Sequence, residues 1–162
     1  METDSLRYGF KIFKTRVPTA FLIVSAGTVP NSARFAEAAA LAARLQKFAD
    51  DQHLKKTQPV IAQFNPASKD STFVKVGFYI DREAKPGGGI QFNRMPVGGP
   101  LYGAVFSGKF DKRQRAYNAL IQYYTDHSYQ SAILPFEMYL DDHLPVSDTD
   151  KVLVRVTFSG YF

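Results

Sequence analysis

An α+β fold is predicted, with two pseudo-symmetric strand–helix–strand–strand repeats sharing one antiparallel sheet. Both helices lie on one face, and a ligand cleft lies on the other. Three observations carry this expectation. The chain repeats itself: Arg16-Val17-Pro18 returns as Arg94-Met95-Pro96, and apolar strands closing on Ala26-Gly27 and Ser107-Gly108 each lead into a helix. Further on, Pro59–Phe64 aligns with Pro135–Leu140, and at that same spacing Val76, Phe78 and Ile80 fall on Val152, Val154 and Val156. The apolar residues alternate in the segments between the helices, and follow a three- and four-residue spacing within them. Finally, half of a 162-residue chain is too short to bury a good core alone, so the halves are expected to share one.

In chain order, strands are expected near 8–14 and 19–26. A helix then starts at Asn31 or Ser32 and carries Phe35, Ala38, Leu41, Ala42, Leu45, Phe48 and Ala49 on one face. Strands near 59–65 and 73–80 complete repeat one, about residues 8–80. Asp81 to Gly89, ending Pro86-Gly87-Gly88-Gly89, reads as the linker, 81–89. Repeat two, about 89–158, has strands near 89–94 and 101–107, then a helix opening at Asp111. Gln114, three residues on, suggests a capping box, and the apolar stripe is Tyr117, Leu120, Ile121 and Tyr124. Strands near 133–140 and 150–158 close a single domain spanning 1–162.

Period-two alternation assigns the sheet faces. Val60, Ala62, Phe64, Val74, Val76, Phe78 and Ile80 would face the helices in half one. Phe136, Met138, Leu140, Val152, Val154, Val156 and Phe158 would do so in half two. The cleft side would then hold Ile61, Gln63 and Tyr79 with Glu137, Tyr139, Leu153 and Arg155. Tyr102 and Phe106 share one face of their strand, lining the cleft or belonging to the core.

Composition narrows the function. Apolar content of 45% and charged content of 22% belong to a folded chain. The longest apolar run, Ala20–Val24, cannot span a bilayer, and the acidic, polar start shows no secretory signal, so a cytoplasmic protein is expected. With no Cys there are no disulfides, thiolate nucleophiles or Cys-ligated metals. The three His fall at no metal-ligand spacing, and no metal or cofactor is expected. The net charge of +5 is dispersed along the chain, which argues against a nucleic-acid footprint. Lys112, Arg113 and Arg115 crowd a helix N-terminus, the wrong end for cations, as solvated charges or as contacts for an acidic protein partner.

Glu137 is the outstanding candidate. Set between Phe136 and Met138, this carboxylate either faces a lined pocket or is paired. In a pocket beside Tyr139 it would anchor an organic cation, with ring faces adding cation–π attraction. The competing reading registers the last two strands so that Glu137 opposes Arg155 and Asp141 opposes Lys151, pairs stabilising the sheet by about a few tenths of a kcal/mol each.

These residues resemble the GyrI-like effector-binding domains, a family that includes the gyrase inhibitory protein and ligand-sensing domains of multidrug-responsive transcription activators. The likeness rests on Arg94-Met95-Pro96, the strand to Ser107-Gly108, the helix from Asp111 through Ala116-Tyr117 and Leu120 to Tyr124, and Pro135–Asp141. It implies a cleft between two related halves, with the family's central glutamate at Glu137 and part of an aromatic wall at Tyr139. Some relatives bind lipophilic cations, and some stand-alone members hydrolyse cyclopropane-bearing natural products. SOUL haem-associated proteins look similar in fold. Here Asp142-His143 stands where the family often has Asp-Pro, no Trp is available, and no helix-turn-helix pattern precedes the domain. The expectation is a stand-alone binding protein for bulky apolar or cationic small molecules, with Glu137, Tyr139, Ile61, Gln63, Tyr79, Tyr102, Phe106 and Arg155 about the ligand. The alternatives are a hydrolase using Glu137 and Tyr139, and an inhibitory partner of an enzyme such as gyrase.

Overall fold

The computed structural model describes residues 7–16, 21–94, 100–131 and 134–159. Eight strands form one antiparallel sheet: β1 (Ile12–Arg16), β2 (Phe21–Pro30), β3 (Ile61–Pro66), β4 (Ser71–Ile80), β5 (Gln91–Arg94), β6 (Pro100–Lys109), β7 (Phe136–Tyr139) and β8 (Lys151–Ser159). Two helices, α1 (Arg34–Asp51) and α2 (Gln114–His127), follow β2 and β6 through short 3₁₀ turns at Asn31–Ala33 and Phe110–Lys112. The α+β class, the shared sheet and the two helices are as the sequence predicts.

The strand order, β1-β6-β8-β7-β3-β4-β2-β5, is symmetric about the β7–β3 seam. Each half contributes a β–α–β–β unit, and each half's first strand crosses over to edge the other half, β1 on β6 and β5 on β2. Arg16 ends β1 and Arg94 ends β5. The rest of the repeated Arg-x-Pro signature, residues 17–18 and 95–96, lies outside the described residues.

α1 forms from an alanine-rich run whose buried residues, Ala38, Leu41, Leu45 and Ala49, fall at helical spacing. α2 buries Ala116, Ala119, Leu120 and Tyr124, and ends where Ser128 turns left-handed at φ 57°. Two details differ from expectation. α2 has no side-chain cap, so the Asp111–Gln114 box does not form, because a 3₁₀ turn occupies that stretch and Arg113 is the residue preceding the helix. Ile121 is 50% exposed, and Ala116 and Ala119 take the inward positions instead.

The ladders revise the internal alignment. Both β2 and β6 are ten residues long and run directly into a 3₁₀ turn, which makes Arg113 the counterpart of Arg34. Phe136 opposes Thr157 as Ile61 opposes Gly77, and Met138 opposes Arg155 as Gln63 opposes Lys75. Phe73-Val74-Lys75-Val76-Gly77-Phe78 therefore corresponds to Leu153-Val154-Arg155-Val156-Thr157-Phe158. Glu137 corresponds to Ala62, and the two are paired directly across the β3–β7 seam. The expected match of Ile61 to Glu137 is one residue out, and a one-residue slip turns every side chain of a strand to the other face. In β8 the displacement is an even number of residues, so its face assignment stands.

Glu137 and Tyr139 consequently face the helices, while Phe136 and Met138 face the open side. Leu140 lies beyond the strand and packs with the open-face cluster. Glu137 opposes Val156 and Tyr139 opposes Val154, so neither Arg155 nor Leu153 stands across from them. The Glu137–Arg155 pair of the competing reading does not form, because the sheet lies between the two side chains. The main core, including Ile23, Leu41, Leu45, Val74, Val76, Leu120, Val154 and Val156, sits between the sheet and the helices. A smaller cluster of Leu22, Val24, Ile61, Tyr79, Phe136 and Met138 lies on the open face.

Candidate functional site

Two places gather the side chains that the sequence brings to notice, one on each face of the sheet. On the helix face, β7 aims Glu137 and Tyr139 at the start of α2. Arg113 Nε donates to Glu137 Oε1 at 2.9 Å and to Oε2 at 2.8 Å, the Tyr117 hydroxyl donates to Oε2 at 2.8 Å, and the Tyr139 hydroxyl donates to Oε1 at 2.6 Å. Glu137 is 1% exposed. Arg113 also reaches the Phe110 carbonyl oxygen at 3.3 Å and stacks 3.7 Å from the centre of the Phe110 ring.

The cation at a helix N-terminus is thereby explained. The helix dipole disfavours Arg113 there, and a buried carboxylate more than offsets it. Burial works against the Arg113 charge, but Glu137 outweighs it and the guanidinium is held more firmly protonated than usual. Burial, then the Glu137 charge and its hydrogen bonds, push the Tyr117 and Tyr139 hydroxyls well above the usual tyrosine range. A carboxylate bound by three residues and shut from solvent is an ion pair built into the core. Both of its carboxylate oxygens already accept from Arg113 and from a tyrosine hydroxyl.

On the open face, a cavity of about 510 Å³ lies chiefly over half one. Its lining is mainly apolar, with Leu22, Val24, Ile61, Tyr79 and Phe136 prominent, and its polar members are Gln63, Lys75, Asn93 and Arg94, the last ion-paired with Glu83. Its size and mixed lining are those of a small-molecule site. Gly77 keeps the floor low, because a Cβ there would stand 3.0 Å from Ile61 Cγ1 and 3.2 Å from Val24 Cγ1 and would push both side chains aside. Gln63 Nε2 donates to the carbonyls of Leu134 and Pro135, at 3.3 and 3.1 Å, and so ties the rim segment before β7 to β3. Tyr79 is buried, and burial raises its hydroxyl's pKa, with the Arg155 charge pulling partly back.

The expected site residues thus divide. Ile61, Gln63 and Tyr79 come together at the cavity. Arg155 shares their face but lies beside it, its Nη2 3.4 Å from Met138 Sδ and its stem against Gly103. Glu137 and Tyr139 are behind the sheet. Tyr102 and Phe106 are helix-face core, Tyr102 packing among Tyr123, Tyr124 and Tyr129. Of the basic trio, Arg113 turns inward, while Lys112 and Arg115 are exposed.

Several residues escaped the sequence reading. Lys75 was legible, since alternation along 73–79 places it on Tyr79's face. Leu134 and Phe136 required the true register of β7. Arg113 and Tyr117 required knowing that a cation at a helix start signals a buried counter-ion. Among the described residues no three His, Asp or Glu gather as a metal site would need, and no helix is long and apolar enough to cross a membrane.

No family model matches the chain, and no curated protein matches it in sequence. Solved structures do share its architecture. The crystal structure of the EcmrR C-terminal domain superposes with a TM-score of 0.73 at 18% identity, over 94% of this chain and 98% of that one. The cryo-EM structure of an EcmrR–DNA complex gives 0.73 at 16% identity over 98% of this chain, which spans 61% of the EcmrR chain. A hydrolase from Listeria innocua gives 0.65 at 10% identity, over 99% of this chain and 98% of that one. At these identities the likeness establishes the fold alone.

Proposed function

We propose that this chain is a GyrI-like effector-binding domain that takes a bulky, largely apolar small molecule in the open-face cavity of half one. The observation that carries the reading is the cavity itself: about 510 Å³, apolar in its floor, with a few polar groups at fixed positions. The shared fold and the sequence resemblance raise its standing, as analogies of architecture. In this reading Glu137 anchors α2 to the sheet rather than anchoring the ligand. Hydrolysis by Glu137 and Tyr139 is the weaker alternative, because the carboxylate is already bound by Arg113, Tyr117 and Tyr139 and is shut from water.

Titration with Nile red, a neutral apolar dye, tests the reading. Saturable binding is expected in the wild type, and a loss of about tenfold or more in affinity in Gly77→Val, which pushes Ile61 and Val24 into the cavity. Gln63→Trp obstructs the same space from a half-buried position should Gly77→Val fold poorly. Absence of saturable binding, or binding indifferent to both substitutions, overturns the proposal.

A further inference from the structure

The described strands carry charge of one sign on the open face. Ladder positions place Lys75, Lys109, Lys151 and Arg155 on it, and among the described residues no strand puts an Asp or Glu there. No carboxylate among the described residues lines the cavity. The only acidic residue within a described strand is Glu137, which faces the other way and is already matched to Arg113.

Two of these cations occupy corresponding positions in the two halves. Lys75 opposes Gln63 and Arg155 opposes Met138. Lys75 lines the cavity, is half-buried, and makes no hydrogen bond or ion pair with a described residue. Arg155, also half-buried, has only the Met138 sulfur within hydrogen-bonding range among the described residues. Tyr79, on the same face and within the reach of the Arg155 charge, has a hydroxyl that makes no hydrogen bond with a described residue. Keeping cations and a phenol partly out of water without acceptors is costly, and an incoming anion would relieve that cost. The contrast with Arg113, which has three acceptor contacts, is plain.

We infer that the cavity selects an apolar organic anion, its hydrocarbon or aromatic body on Leu22, Val24, Ile61 and Phe136 and its acidic group paired with Lys75. Arg155, on the same face but two strands further across the sheet than β3, adds to the positive field over the face. The inference rests on the cavity reading above and fixes its ligand class. It is opposite in sign to the lipophilic cations that the sequence resemblance implies.

Tetraphenylborate and tetraphenylphosphonium have nearly the same shape and opposite charge, so their competition against Nile red isolates the sign. At physiological salt the borate is expected to bind about tenfold more tightly than the phosphonium. Lys75→Glu is expected to abolish or reverse that preference. Lys109→Glu makes the same charge change on the same face away from the cavity, and is expected to leave the preference standing. A phosphonium preference, a borate preference that survives Lys75→Glu, or one lost equally in Lys109→Glu would overturn the inference. If Nile red binds but neither ion displaces it, the anion assignment fails while the cavity reading stands. If Nile red does not bind either, the cavity reading itself has failed.

Discussion

The two central strands face each other with Ala62 and Glu137 in register, and the contrast between them separates a buried ion pair behind the sheet from an open cavity before it. Half one has Ala62 and Phe64 at the positions where half two has Glu137 and Tyr139. The arginines respond accordingly. Arg34 and Arg113 both follow a 3₁₀ turn, and both donate to the carbonyl of the turn's first residue, at 2.6 Å to Asn31 and 3.3 Å to Phe110. With only Ala62 behind it, Arg34 turns outward to Asp148, whereas Arg113 turns inward to Glu137. On the open face the halves agree in charge, Lys75 and Arg155, but differ in space. Gly103 lets the stem of Arg155 lie flat on the sheet, since a Cβ there would be 3.1 Å from Arg155 Cγ. The corresponding residue in half one is Val24, in the cavity's wall. A buried ion pair behind one half and an open cavity before the other are the result.

The largest effect is expected from breaking the asymmetry behind the sheet. Glu137→Ala installs the half-one residue but strands Arg113 and two hydroxyls, and should cost about 3–5 kcal/mol in urea unfolding. Converting the group together, Glu137→Ala with Tyr139→Phe and Arg113→Leu, should recover much of that loss, because no buried charge is then unpaired. Equal losses in the single and triple variants would contradict the account. Next in size is Gly77→Val, whose crowding of Ile61 and Val24 should cost about 1–3 kcal/mol in addition to its effect on dye binding.

A third test uses alkaline pH. The folded Tyr117 and Tyr139 hydroxyls are raised above the unfolded value near 10, so the folded state holds their protons more tightly. Their contribution is fully present below about pH 10 and is lost as pH rises from there toward the folded values. Urea midpoints should therefore fall above about pH 10, and Tyr139→Phe, the half-one residue, should make the fall shallower. An unchanged slope would show that Tyr139 does not resist ionisation. The smallest effect belongs to the outward arginine. Asp148→Asn removes the partner of Arg34, and should cost no more than about 1 kcal/mol, because Asp148 is half in solvent.

Much of the fold was legible in the sequence because the duplication, the two helical stripes and the period-two strands point to the same architecture. The boundaries moved by a few residues, and β8 kept its faces because its misalignment was even. The site was harder to read. Phe136-Glu137-Met138-Tyr139 carries bulky residues at every position, so alternation could not say which side was the core, and a single-residue slip in the repeat alignment chose wrongly. A buried carboxylate inside such a strand looks apolar-flanked from either side. What settles its face is Arg113, distant in sequence, and no local pattern reveals that partnership. Ile61, Gln63 and Tyr79 lie on the face that the sequence predicts for them, because β3 and β4 alternate cleanly.

The central claim is that ligands enter before the sheet at half one, and not at the carboxylate behind it. Amide chemical-shift mapping of the wild-type protein, titrated with whichever tetraphenyl ion binds more tightly, tests this most directly. The account predicts that the largest shifts fall on Leu22, Ile61, Gln63, Lys75, Gly77 and Tyr79, with Glu137→Gln leaving the affinity within about twofold. Shifts centred on Arg113, Tyr117 and Glu137, with binding lost in Glu137→Gln, would contradict it.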